Sequence, residues 1–306
     1  MGCVTSNGPV DVVPRRIQTP QKRAIAGVEF DFLTRLDVLS HILRWRRAAH
    51  KRYITLVNPH SVMTAHRNPA MRDALRGAGL CLPDGVGVVL AAKLLGYGRR
   101  HRVTGPTLML ELLDSGRAHG LRHFFYGGAE GVAERLREQF TASYPGLEVA
   151  GVYTPPFRNL SPAEDAAIVR RINRTRPDVV WVALGAPKQE VWMAAHCGAI
   201  DAAACIGVGA AFDFHSGNVK WAPRWIRKSG LEWAHRFFTA PRRMWRRNLD
   251  SPLFLFAIVR QWMKEKVGQR LVPSRATPSS PEPGAAPAAS EHSVLPGRNL
   301  NSLVAD

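Results

Sequence analysis

The chain has 306 residues, 45% of them hydrophobic, and its 42 Lys and Arg against 24 Asp and Glu give a formal net charge of +18. This is room for one large domain or a domain with an appendage, and the charge calls for a polyanionic partner: nucleic acid, an anionic membrane or a phosphate-bearing substrate. No apolar run approaches the roughly 18–20 residues of a membrane span, residues 1–24 lack the features of a secretory signal, and the four cysteines form no CxxC pair that would suggest a zinc site or a disulfide framework.

Taken in chain order, residues 1–24 show no clear periodicity and read as a flexible leader, with the folded region expected from residue 25. Residues 30–43 read as a short strand or turn and then an amphipathic helix. From residue 53 strands and helices alternate. Strands are expected at 53–57, 80–82, 123–126, 147–152, 179–184 and 204–208, and helical segments at 61–77, 86–95, 106–119, 131–144 and 161–174. Ser161 and Glu164 have the spacing of a capping box. The runs 179–184 and 204–208 are continuously apolar, as in strands buried on both faces. This alternation predicts an α/β fold, a Rossmann-like, mostly parallel sheet flanked by helices over 25–219. Residues 220–271 read as a basic helical C-terminal appendage. Between 220 and 270 there are 13 cations against three acids, mixed with Trp221, Trp225, Trp233, Trp245 and Trp262. Residues 272–306 are rich in Pro, Ala and Ser and read as a disordered tail.

In a parallel α/β sheet, ligands bind outside the carboxyl ends of the strands. Asn58-Pro59-His60-Ser61, Asp84-Gly85, Gly127-Gly128, Gly185 to Glu190 and Gly209 to Asp213 each follow an expected strand, and five loops at one sheet edge describe a site. Asp84 is placed either to take a proton from a bound hydroxyl or to cap the helix that follows. The turn at Gly127-Gly128 either brings backbone N–H groups to a phosphate or sugar or is a tight turn and nothing more. Lys188 and Glu190 either serve the site or pair with neighbours at a helix start. There is no G-x-G-x-x-G after the first strand and no P-loop, and His60, His101, His196, His215 and His235 form no metal-spaced cluster. The basic, aromatic C-terminal segment suits an interfacial element on an anionic bilayer, packing onto the core, or single-stranded nucleic acid. A nucleic-acid-binding protein is therefore the alternative from another class, although no helix-turn-helix, RNP or zinc motif is present. An NAD-dependent oxidoreductase is a third reading.

The ordered set Pro83-Asp84-Gly85-Val86-Gly87, Arg102-Val103-Thr104-Gly105, Gly185-Ala186-Pro187-Lys188-Gln189-Glu190, Val208-Gly209 with Phe212-Asp213, Ala222-Pro223 and Leu231-Glu232-Trp233 with Arg236 closely resembles the WecB/TagA/CpsF glycosyltransferases, over about residues 25–247. The resemblance implies a GT-E-like fold and an inverting transfer of N-acetylmannosamine, its uronic acid or glucose from a UDP-sugar. The implied acceptor is a polyprenyl-diphosphate-linked saccharide used in surface polysaccharide synthesis. It implies no cofactor and no metal, the UDP-sugar being a substrate. It also implies a cytoplasmic protein held peripherally at the inner membrane face, with a homo-oligomer open to it. Asp84 resembles the general base and Asn58 a polar contact near the donor phosphates. Leu56 stands where the family often has Thr, which removes one hydroxyl contact. Arg102 and Gln189 resemble cleft residues binding diphosphate or sugar, Asp213 the uridine contact, and Arg236, Arg243 and Arg246 cations of a segment that folds over the site. The chain has no Asp-x-Asp element for a metal. Arginine forks are then the expected partners of the departing diphosphate.

Overall fold

The computed structural model describes residues 22–98, 101–219, 221, 223 and 241–271, the side chains of 241–249 and 268–271 excepted. The described part of the chain opens with an antiparallel hairpin of β1 (Lys22–Ile25) and β2 (Val28–Asp31). Helix α1 (Arg35–Arg47) follows, started by a capping box between Thr34 and Asp37. Strand β3 (Arg52–Val57) leads into α2 (Pro59–Arg67) and α3 (Pro69–Arg76), and β4 (Leu80–Pro83) into α4 (Val86–Leu94) and α5 (Gly105–Arg117). Then come β5 (Arg122–Gly127), α6 (Val132–Ser143), β6 (Glu148–Tyr153), α7 (Pro162–Arg174), β7 (Val179–Ala183), α8 (Lys188–His196), β8 (Ala204–Gly207) and the short α9 (Ala211–His215). A long helix, α10 (Pro241–Leu271), ends the described chain.

Strands β3 to β8 form one six-stranded sheet in the order β4-β3-β8-β7-β5-β6, and each neighbouring pair is parallel. The expected Rossmann-like α/β architecture is thus present. Because side chains alternate along a strand, Ile54 and Leu56 enter the core on one face, with α1, α5, α6 and α9. Val57 and Cys81 enter a second cluster on the opposite face, under the hairpin, α2, α3 and α4, while Tyr53 and Val180 pack there with α7 and α8. Both faces are covered, which is why β7 and β8 carry unbroken apolar sequence.

Three features differ from the sequence expectation. Strand β1 begins at Lys22, inside the stretch read as leader. The single helix expected over 61–77 is two helices. Asn68 adopts an extended conformation before Pro69, closes α2 and caps α3 by accepting from Met71 N; proline disfavours a helical conformation in the residue before it. The hairpin, finally, was not anticipated, being two strands of four residues.

Helix α10 packs on α2 and touches α4. Phe254 and Ile258 are buried in the cluster shared with the hairpin, and Gln261 clamps the hairpin turn, accepting from Ala26 N at 2.8 Å and donating to the Ala24 carbonyl at 2.9 Å. Among the described residues, no helix is long and apolar enough to cross a membrane.

The capping box at α7 is present: Ser161 Oγ accepts from Glu164 N at 3.3 Å and Glu164 Oε2 from Ser161 N at 2.8 Å. Ser161→Ala is expected to cost about 1 kcal/mol, read as a lower urea midpoint at unchanged slope. An unchanged midpoint would show that the cap is energetically idle.

Candidate active site

The register of β3 and β4 pairs Val57 with Pro83, so the residues that follow, Asn58 and Asp84, leave the sheet side by side. Asp84 N donates to the Val57 carbonyl at 2.9 Å, extending the ladder by one bond. Val103 N donates to the Pro83 carbonyl at 3.0 Å, which returns the chain to the end of β4 and sets Arg102 near Asp84. The N-cap of α4 is Gly85, with no side-chain cap bond, so Asp84 does not hold the N-cap position. Gly85 has φ 102°, and a Cβ there would come within 3.6 Å of Asn58 Cβ. The two turns therefore touch, at a backbone conformation that side chains disfavour.

At the other strand ends, the Gly127-Gly128 turn is tied to β7 by a hydrogen bond from Gly128 N to the Ala183 carbonyl, 3.0 Å. A Cβ on Gly127 would fall 2.6 Å from that carbonyl oxygen. Gly127 is thus a packing glycine at the end of β5 and is not among the residues lining the cavity, whereas Gly128 is. The segment after β7 passes Gly185 and enters α8, where Gln189 and Glu190 are 4% and 0% exposed. Asp213 lies on α9 beyond β8.

These loops enclose a cavity of about 890 Å³ at the carboxyl edge of the sheet. It is lined by Asn58, Asp84, Arg102, Gly128, Gln189 and Asp213 together, so of the expected site residues whose side chains are described, all but Gly127 meet there. Asn58 Oδ1 is occupied by the Ser61 N–H at 3.0 Å and the Ser61 hydroxyl at 3.3 Å; what Asn58 offers the cavity is its Nδ2 donor. Leu56 lines the wall, and Thr55 faces away, its hydroxyl directed to the Leu80 carbonyl at 3.5 Å. No hydroxyl from this strand reaches the site. Arg243 and Arg246 fall in the opening turns of α10, where side chains are outside the described residues, and Arg236 lies outside them altogether. The described side chains of α10 do not line the cavity.

Two contributions were missed by sequence reasoning. The loop after β6 supplies Pro155 to Asn159, with Phe157 fully exposed and Arg158 held in a two-pronged pair with Glu164 at 2.6 and 2.9 Å. It carries no glycine-rich turn or isolated carboxylate to mark it. Trp221 also lines the cavity, donating Nε1 to the Phe214 carbonyl at 2.9 Å.

Residues 23–268 match the family model described as the glycosyl transferase WecG/TagA/CpsF family. The chain belongs to this family. Among curated relatives of this WecG/TagA/CpsF glycosyltransferase, an N-acetylglucosaminyldiphosphoundecaprenol N-acetyl-beta-D-mannosaminyltransferase from Bacillus spizizenii is 36% identical over 208 residues, 68% of this chain and 79% of that protein. A protein of the same name from Bacillus subtilis is 32% identical over 70% of this chain and 81% of its own length. The Staphylococcus aureus (strain NCTC 8325 / PS 47) protein of that name is 29% identical over 79% and 94%. The matched region spans both the sheet-edge loops and most of α10. Among the described residues of this glycosyltransferase, no group of three His, Cys, Asp or Glu comes together that could hold a metal ion.

Proposed function

We propose that this glycosyltransferase moves a hexose or hexosamine, N-acetylmannosamine, its uronic acid or glucose, from a UDP-sugar to a polyprenyl-diphosphate-linked saccharide, with inversion and without a metal. The observation that carries the reading is the meeting of Asp84, Arg102 and Asn58 with Gln189 and Asp213 around one cavity. The relatives' name supports the acceptor, since it specifies a diphosphoundecaprenol-linked N-acetylglucosamine.

In this mechanism the Asp84 carboxylate takes the proton of the acceptor hydroxyl. The oxygen attacks the anomeric carbon from the face opposite the nucleotide, and the bond from that carbon to the β-phosphate oxygen breaks. UDP departs with the electron pair. Its growing negative charge needs pre-aimed donors, each worth roughly 3 kcal/mol. Arg102, Lys188 and the Asn58 amide are among the donors at the cavity wall, and Arg236, Arg243 and Arg246 are proposed to complete the set. A peripheral position at the cytoplasmic face of the membrane suits such an acceptor. It draws support from the exposed Leu255, Phe256, Trp262 and Met263 of α10, apolar groups interleaved with Arg260, Lys264 and Lys266.

The test is a donor screen with UDP-N-acetylmannosamine, its uronic acid and UDP-glucose on a short-chain polyprenyl-diphosphate-GlcNAc acceptor in excess EDTA. The expected result is transfer from one donor with an inverted anomeric centre. Failure of all three donors, or product only after a divalent metal is restored, would defeat the reading.

A further inference from the structure

Gln189 and Glu190 stand in the first turn of α8 and are buried although both are polar. Gln189 Nε2 donates to Glu190 Oε1 at 2.8 Å. Gln189 Oε1 is buried and has no hydrogen-bond partner among the described residues, while the side chain lines the cavity. The two ends of a carboxamide differ in hydrogen-bond polarity and hardly at all in shape. A carboxyl oxygen at one end therefore selects the NH2 group there and leaves the carbonyl oxygen for the other side. The floor beneath is glycine: a Cβ on Gly207 would lie 3.1 Å from Gln189 Nε2, and one on Gly209 3.6 Å from Oε1.

We propose that Glu190 is a positioning residue that holds Gln189 with its carbonyl oxygen toward the cavity, making this spot specific for an N–H or O–H of the nucleotide sugar and not for its phosphates. The inference rests on the UDP-sugar reading above and narrows it. A phosphate oxygen is an acceptor and would meet a second acceptor here. Lys188 also lines the cavity beside Gln189, but the acceptor presented by Gln189 itself disfavours a phosphate at that spot, and the diphosphate is placed on the β3–β4 side, where Arg102 and the Asn58 amide offer donors. The group over Gln189 is the uracil N3–H, a ribose hydroxyl or a sugar hydroxyl or amide. Each fills an acceptor that is otherwise buried without a partner, a costly state.

The test measures calorimetric affinities of the full-length protein for UDP, UMP, N3-methyl-UDP, 2′-deoxy-UDP, 3′-deoxy-UDP, the intact UDP-sugar found active and its deoxy or deacetamido analogues. In the wild type, one analogue lacking a single donor group is expected to bind about 10–100-fold more weakly. Gln189→Leu should erase that discrimination and leave the UDP-to-UMP ratio unchanged. Gln189→Met serves as a second variant should the first misfold. Glu190→Gln should reduce the discrimination to a few-fold with the thermal midpoint nearly unchanged, because the amide is then free to turn over. If Gln189→Leu collapses the UDP-to-UMP ratio and spares the analogue discrimination, the residue binds phosphate and the inference fails. Full discrimination in Glu190→Gln removes the positioning role. Absence of UDP binding to the wild type would instead overturn the donor reading itself.

Discussion

If Asp84 is the base proposed above, Asp84→Asn is expected to lower turnover by about 10²–10⁴-fold, the range supplied by a positioned general base, while UDP affinity stays within about twofold. The amide keeps the size of the carboxylate but cannot take a proton at neutral pH. The main-chain bond from residue 84 to the Val57 carbonyl is unaffected, so the turn that carries Asn58 stays in place. Initial rates at saturating donor, paired with calorimetric titration of UDP, check both halves. Turnover near the wild-type value would remove Asp84 as the base, and a parallel loss of UDP binding would give it a structural role in the turn instead.

Asp250→Ala is expected to loosen α10 and weaken the site at a distance. Asp250 is 4% exposed and accepts from Arg67 at 2.7 and 3.1 Å and from His60 Nδ1 at 2.5 Å. His60 sits in the first turn of α2, the helix capped by Asn58. One turn along α10, Phe254 reaches Gly87, where a Cβ would lie 4.0 Å from its ring and 2.7 Å from Pro59 Cγ. Helix α10 thus braces the starts of both α2 and α4, the two turns that present Asn58 and Asp84. Removing one member of a buried pair can cost 3–5 kcal/mol, but the Arg67 side chain is 53% exposed and regains water. A loss of about 1.5–3 kcal/mol is expected, or roughly 4–8 °C in thermal midpoint for a protein of this size, with a several-fold drop in kcat/KM.

The pH dependence has a definite sign. Burial raises the Asp250 carboxyl, but hydrogen bonds and charge from Arg67 and His60 outweigh it and hold the group below its ordinary value of 3.8. A carboxyl depressed on folding contributes stability above its unfolded pKa and loses it as pH falls through the folded one. The gap in midpoint between wild type and Asp250→Asn should therefore persist from pH 5 to 8 and close in stronger acid. A gap that grows on acidification would contradict the assignment of the pair.

Much of the sheet was legible because its strands are short apolar runs separated by helical stretches, and the rule that ligands sit at the carboxyl edge converts that order into a site. That rule brings Asp84, Asn58 and Asp213 to one edge, and all three line the cavity there. What was not legible lacks a periodic or chemical mark. The hairpin has two strands too short for alternation to show. The break at Asn68-Pro69 sits inside a pattern that is apolar at helical spacing on both sides. Gly127 and Gly128 look equivalent in sequence, yet one is pressed on the Ala183 carbonyl and the other faces the cavity. Loop 155–159 enters the site through its path after β6, which pairing and not composition dictates.

The hairpin has a bearing on how this protein survives at high concentration. β4 is a terminal strand, and a bare terminal strand is a template for stacking with other chains. Here the Cys81 N–H is taken by Asp31 Oδ2 at 2.8 Å, and β2 lies along the same margin. The hairpin thus covers part of that margin and takes up one of its N–H groups, which leaves strand addition less room there. The half-buried β6 at the opposite rim is left as the more open side for such addition.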